Sequence, residues 1–281
     1  MYNFEELKNK TCVITGGGGI IGTSLALALG KVGIKVVIVD IQKDLAEKTA
    51  TLVNNETKTE TMGVVANVLE KSSLENAKKE INNKIGKINF LINGAGGNSP
   101  KATTKVEFID ENIVNQLDDT FFGLDVEGFQ RVFDLNFIGT LLPTMIFAKD
   151  MLELKEGVVL NISSMNSFRP LTKIPAYSAA KSSINNFTEW LAVHLAKMNI
   201  RVNAIAPGFF VTNQNRFLLY DEKTAKLTER GNKIIASTPM GKFGNPEDIQ
   251  GTMLYLLSDL SKFVTGIIIP VDGGFNAYSG V

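Results

Sequence analysis

The chain has 281 residues, 44% of them hydrophobic and 21% charged, with 29 Lys+Arg against 29 Asp+Glu. That length can bury a large core without disulfides or metals. A formal charge of zero removes the electrostatic basis for a nucleic-acid or anionic-membrane partner. The single cysteine, Cys12, cannot form an intrachain disulfide, and with one histidine, His194, the composition argues against a zinc site, a Ser-His-Asp triad or a Cys-His dyad. No metal is expected. Proton chemistry must come from Tyr, Lys, Ser or a carboxylate.

The opening segment, Met1 to Lys10, is polar and mixed in charge, with no signal peptide. No apolar run approaches membrane-spanning length, so a cytoplasmic protein is expected. Strand patterns then fall at Thr11–Thr15, Lys35–Asp40, Thr61–Ala66, Ile88–Asn93, Gly157–Ile162, Arg201–Ala206 and Gly266–Val271. Amphipathic stretches lie between them near 20–32, 43–54, 71–85, 125–153, 176–198 and 246–258. Such alternation predicts parallel strands joined by crossover helices, and nearly all-apolar strands predict helices on both faces. The expected fold is a single doubly wound, Rossmann-like α/β domain over 1–281, with a seven-stranded parallel sheet. Two long connections, about 94–124 and 207–244, leave the carboxyl ends of strands, where open α/β sheets bind ligands.

The first strand runs into Thr15-Gly16-Gly17-Gly18-Gly19-Ile20-Ile21-Gly22 and then a helix. Glycines let backbone approach a pyrophosphate, and a helix N-terminus offers free N–H groups. The second strand ends at Asp40. An acidic residue there can accept hydrogen bonds from both ribose hydroxyls and repels a 2′-phosphate, so NAD is expected over NADP. Tyr177 and Lys181 stand four apart in a helical pattern and share a face. An adjacent ammonium and an oxidised nicotinamide ring would lower the phenol pKa from its usual value near 10 and let it exchange a proton with an alcohol or carbonyl oxygen.

Around that pair stand Asn161-Ile162-Ser163-Ser164, with Ser164 thirteen residues before Tyr177, then Asn136, Asn93-Gly94-Ala95-Gly96 and Pro207-Gly208. With the opening glycines, these motifs resemble the short-chain dehydrogenase/reductase family over essentially the whole chain. The resemblance implies that Tyr177 is the general acid/base. Lys181 would hold the nicotinamide ribose and tune Tyr177, Ser164 would bind the reacting oxygen, and Asn136 would hold a water in the proton relay. It implies a cofactor site built from Gly16, Gly18, Gly19, Ile20, Ile21, Gly22, Asp40, Ile41, Asn67, Val68, Asn93, Gly94, Ala95, Gly96, Tyr177, Lys181, Pro207, Gly208, Phe210 and Thr212. Three positions depart from the family pattern: Ile20 replaces a usual glycine, Asn67 a more common aspartate, and Gly94 a common asparagine.

The segments Ser164-Met165-Asn166-Ser167-Phe168-Arg169-Pro170, Asn213-Gln214-Asn215-Arg216 and Val271 to Val281 resemble more closely the D-mannonate oxidoreductase (fructuronate reductase) branch. That resemblance implies a sugar acid as substrate, interconverting D-mannonate and D-fructuronate. A sugar acid needs a cation for its carboxylate and polar partners for its hydroxyls. Asn98, Ser164, Asn166, Arg169, Tyr177, Gln214, Asn215 and Arg216 are the candidates, with Arg169 ahead of Arg216 for the carboxylate and Lys101 behind both. Rival readings are the same chemistry on another sugar acid, polyol or 3-oxoacyl substrate, or a non-catalytic dinucleotide-binding sensor. Family members are commonly tetramers, and the apolar pattern of 176–198 fits a homotetramer.

Overall fold

A computed structural model describes residues 4–212, 216–221 and 224–280. Seven strands form one sheet: β1 (Thr11–Thr15), β2 (Lys35–Asp40), β3 (Thr61–Val65), β4 (Phe90–Asn93), β5 (Gly157–Ile162), β6 (Ile200–Pro207) and β7 (Ile268–Val271). Their order is β3-β2-β1-β4-β5-β6-β7, and all six pairings are parallel. The fold is the expected α/β Rossmann-like one. The order reverses between β1 and β4, and the register pairs Thr15 with both Val39 and Asn93, so the glycine loop starts where a doubly wound sheet opens its crevice.

The helices are α1 (Ile20–Lys31), α2 (Lys43–Thr57), α3 (Lys71–Lys84), α4 (Val126–Asn136), α5 (Ile138–Phe147), α6 (Lys149–Leu154), α7 (Pro175–Leu195), α8 (Arg216–Leu219), α9 (Glu229–Ala236) and α10 (Gln250–Leu257). Side chains alternate along each strand, which divides the core into two layers. Cys12, Ile14, Val36 and Ile38 pack with α1, α2 and α10 on one face. Val13, Val37, Leu91 and Val159 pack with α3, α5, α6 and α7 on the other.

Several boundaries differ from the sequence expectation; β3 ends at Val65 and β6 spans Ile200–Pro207, each a residue away. The helix expected over 125–153 divides at Phe137 and Ala148; Thr140 N–H donates back to the Phe137 carbonyl, and Pro143 removes one donor from α5. Taken together, Val126–Leu154 is long and apolar enough to cross a membrane by length and composition, contrary to the sequence reading. Half of its most apolar window is buried inside the fold, as in a core helix. β4 starts at Phe90 rather than Ile88, because the Ile88 N–H donates to Asp150 Oδ2 (3.1 Å) and not to a neighbouring strand. β7 starts at Ile268, after Gly266 at φ +78° turns the chain.

Candidate active site

β1 delivers the chain to Gly16 at φ +64°. A Cβ there would lie 2.8 Å from Ala95 Cα, so glycine is required where the loops after β1 and β4 touch. Gly19 opens α1 with no side-chain cap, which leaves the first-turn N–H groups free for an anion. Ile20, the departure from the family pattern, begins α1 in helical conformation, and Ile21 packs on the core beneath. Gly22 packs its Cα side against Gly17. The loop therefore keeps its turn and its helix N-terminus with isoleucine in place.

Asp40 is buried at the end of β2. Its Oδ2 accepts the Gly18 N–H (3.1 Å) and its Oδ1 accepts the Gln42 N–H (3.0 Å). One carboxylate thus braces the glycine loop and shapes the turn to α2, with a lone pair on each oxygen still open to a hydroxyl. Ile41 beside it is exposed. Asn67, past β3, uses its side chain within its own turn: Oδ1 accepts the Leu69 N–H (3.0 Å) and Nδ2 donates to Glu70 (2.8 Å). Val68 is buried against Gly139.

Asn93 ends β4 fully inside. Its Nδ2 donates to Thr144 Oγ1 (2.8 Å) and Asn161 Oδ1 (2.9 Å), and Asn161 donates on to Thr188 (2.8 Å). This chain ties β4, β5, α5 and α7 together. The N–H groups of Gly94 and Ala95 donate to Thr15 Oγ1 (3.2 and 3.3 Å). Thr15 escaped the sequence reading because a strand-end threonine carries no pattern of its own.

Asn136 is fully buried. Its Nδ2 donates to the Gly97 carbonyl (2.7 Å) and the Val132 carbonyl (2.8 Å), and its Oδ1 accepts the Gly97 N–H (3.3 Å). The side chain therefore clamps the loop after β4. A Cβ on Gly96 would stand 2.6 Å from Asn136 Oδ1 and 3.4 Å from Lys181 Nζ, which marks the convergence of loop, asparagine and lysine.

Tyr177 and Lys181 lie one turn apart on α7, Nζ 5.6 Å from the ring centre. Lys181 Nζ donates to the Ile162 carbonyl (2.7 Å), and burial lowers its pKa to about 7. Tyr177 hydrogen-bonds Ser164, and Ser164 Oγ also accepts the Asn166 N–H (3.2 Å). Burial raises the Tyr177 pKa, and the Ser164 contact pulls it partway back. The protein's own groups thus act against the lowering expected from sequence, which is tied to an oxidised nicotinamide ring as well as to the ammonium. The expectation needed two positive neighbours; the protein's own groups supply mainly desolvation, which disfavours the phenolate.

At the end of β6, Pro207 pairs with Val271, and Gly208 N–H donates to the Val271 carbonyl (2.9 Å). Phe210 is a core residue bridged to Gly244, so main chain is what it can offer a cofactor. The Thr212 carbonyl accepts the Arg216 N–H (2.9 Å).

The polar residues proposed for substrate are dispersed. Asn98 is exposed and donates to Thr103 (3.1 Å). Asn166 is buried beside Ser164, its Oδ1 without a partner. Arg169 is exposed and donates to the Tyr278 carbonyl (3.1 Å). Arg216 is exposed, with its guanidinium 5.3 Å from the Tyr220 ring centre. Gln214 and Asn215 lie outside the described residues. A cavity of about 180 Å³ instead collects Lys173, Ile174, Phe209, Arg230, Lys233 and Phe275 among its lining residues. Among the described residues, none of the sequence-selected polar side chains lines it.

Comparisons with known proteins bear on the family and the fold. Residues 19–276 match the C2 short-chain dehydrogenase family model, described as enoyl-(acyl carrier protein) reductase. The chain is 49% identical over 280 residues to UxuB, an uncharacterized oxidoreductase of Bacillus subtilis, covering 99% of this chain and 98% of that protein. It is 32% identical over 275 residues to the 5-keto-D-gluconate 5-reductase of Escherichia coli, covering 98% of each. It superposes, with a TM-score of 0.91 and 48% identity over 98% of each chain, on a Haemophilus influenza protein solved with bound NAD and described as a candidate D-mannonate oxidoreductase. The chain belongs to the short-chain dehydrogenase/reductase family and is an oxidoreductase of the nicotinamide-dependent kind.

Proposed function

We propose that this protein is an NAD-dependent oxidoreductase interconverting D-mannonate and D-fructuronate, with Asn136, Ser164, Tyr177 and Lys181 as its catalytic group. The observation that carries the reading is the convergence of Ser164, Tyr177 and Lys181 at the carboxyl ends of β4 and β5; a cavity with three cationic side chains is lined in part by Lys173 and Ile174, just before α7. The sugar-acid relatives support the substrate class.

The glycine cradle and the uncapped start of α1 fit a dinucleotide pyrophosphate. Asp40 fits an unphosphorylated ribose, since a 2′-phosphate would meet its carboxylate. When bound, the nicotinamide accepts the hydride in oxidation and donates it in reduction. The chain's own residues then handle the oxygen and the proton. Ser164 orients the reacting oxygen. Tyr177 Oη takes the hydroxyl proton in oxidation and returns it to the carbonyl oxygen in reduction. Lys181, buried one turn away, favours the phenolate whenever it is protonated. Asn136 fixes the Gly96–Gly97 backbone that Lys181 faces.

One domain over 1–281 carries this activity, in the cytoplasm, as a homotetramer. Exposed Met145, Trp190 and Val193 on α5 and α7 supply apolar surface for such contacts, and light scattering at micromolar concentration tests the mass. Turnover of a panel of sugar acids, polyols and 3-oxoacyl thioesters, with NAD(H) and NADP(H), tests the function. Activity confined to polyols or thioesters overturns the substrate, and none at all overturns the catalytic reading.

A further inference from the structure

The cavity that includes Ile174 has walls from segments far apart in sequence. Lys173 and Ile174 stand immediately before α7, and Ile174 precedes Tyr177 by three residues. Phe209 follows β6 and Phe275 follows β7, and their rings meet edge to face at 5.2 Å. The remaining wall is α9 with its C-cap, which together present Arg230, Lys233, Ile234 and Ser237 at the spacing of a single helical face. Thr228 begins α9, accepting the Gly231 N–H (3.0 Å) and donating to the Leu218 carbonyl (2.7 Å). The turn that carries Arg230 is therefore tied down at its start.

The charge in this cavity is unbalanced, although the whole chain is neutral. Three cations, Lys173, Arg230 and Lys233, face one carboxylate, Glu107. Lys233 lies 3.8 Å from Glu107 and 3.4 Å from Glu229. Lys173 Nζ donates to the Lys105 carbonyl (2.7 Å). Arg230 makes no ion pair among the described residues. The two arginines favoured from sequence are engaged elsewhere, Arg169 with the Tyr278 carbonyl and Arg216 over the Tyr220 ring.

We infer that Arg230 is the residue that reads the substrate's carboxylate, holding it through paired guanidinium hydrogen bonds at the α9 wall of the cavity. The inference rests on the sugar-acid reading above. A guanidinium presents two parallel donors matched to a carboxylate, which fixes orientation as well as charge. In D-fructuronate the carboxylate and the reacting ketone lie toward opposite ends of one carbon chain. An anchor on α9 and proton transfer at Tyr177 on α7 suit such a molecule, with Phe209 and Phe275 closing an apolar side.

The test compares D-fructuronate with D-fructose, its neutral counterpart lacking the carboxylate, with NADH as reductant. Arg230→Ala is expected to lower kcat/KM for D-fructuronate about 10- to 100-fold, the usual range for a lost charge-assisted hydrogen bond. The loss falls mainly in KM, D-fructose reduction is unchanged, and Arg230→Lys recovers part of it. Arg230 is exposed, so an unchanged Tm should confirm that the variant folds. Equal losses on both substrates, or an acid-selective loss in Arg169→Ala and not in Arg230→Ala, overturn the assignment. A wild-type protein inactive on every sugar acid instead overturns the functional reading beneath it.

Discussion

Lys181 Nζ donates a 2.7 Å hydrogen bond to the main-chain oxygen of Ile162, the last residue of β5. The contact anchors a side chain only 4% exposed, and burial lowers its pKa from 10.5 to about 7. As pH falls, the unfolded chain takes up this proton near 10.5, and the folded chain only near 7. Stability is therefore lost over that window and the deficit is complete below it. A shift of that size corresponds to roughly 5 kcal/mol at most, whereas leaving the Ile162 carbonyl unpaired costs about 1–3 kcal/mol. Lys181→Met should thus raise the Tm of the cofactor-free protein at pH 6, by about 2–4 °C per kcal/mol gained, and lose that gain as pH approaches 10. Turnover and cofactor affinity should both fall. Thermal melts at pH 6, 8 and 9.5 decide it; a Tm change independent of pH rejects the account.

Tyr177→Phe removes the one hydroxyl that Ser164 and the reacting oxygen would share. Turnover should drop about 10²–10⁴-fold, the range for general acid/base catalysis, while NADH affinity measured by fluorescence stays near wild type. A kcat within a small factor of wild type removes Tyr177 from its role.

Ser164→Ala should move the pH profile upward. The Ser164 hydrogen bond lowers the Tyr177 pKa against the larger raising effect of burial, so its loss leaves burial less opposed. Oxidation, which needs the phenolate, should then reach its plateau at higher pH, with a reduced maximum. An unshifted ascending limb in the kcat/KM profile would mean that the hydrogen bond does not set the acidity.

Asp40→Ala removes a like charge from the place of a 2′-phosphate, so the preference in kcat/KM for NAD(H) over NADP(H) should narrow by about tenfold or more. It also strips acceptors from the N–H groups of Gly18 and Gln42. KM for NAD itself should therefore rise, and Asp40→Asn, which keeps one acceptor oxygen, should raise it less. A native preference for NADPH would show that β2 had been misread.

The strands were legible because burial on both faces demands continuous apolar runs. β1, β2 and β5 begin and end as their patterns predict. The Tyr177–Lys181 pair was legible because i, i+4 spacing places two side chains on one helical face whatever surrounds them. The direction of the Tyr177 pKa was not, since desolvation depends on how α7 seats over β5. Nor was Asn136's clamp on Gly97, whose hydrogen bonds join residues 39 apart.

By itself, then, the sequence determined the parallel sheet, the glycine turn into α1, the acidic end of β2 and the Tyr-Lys face. Each is a matter of local geometry, written at period 2, period 3.6 or a fixed turn. The tertiary structure decided which arginine faces the cavity and which is drawn to the Tyr278 carbonyl, 109 positions from Arg169. Irregular connections carry no period, so their side chains acquire neighbours only when loop closure and packing bring distant segments together.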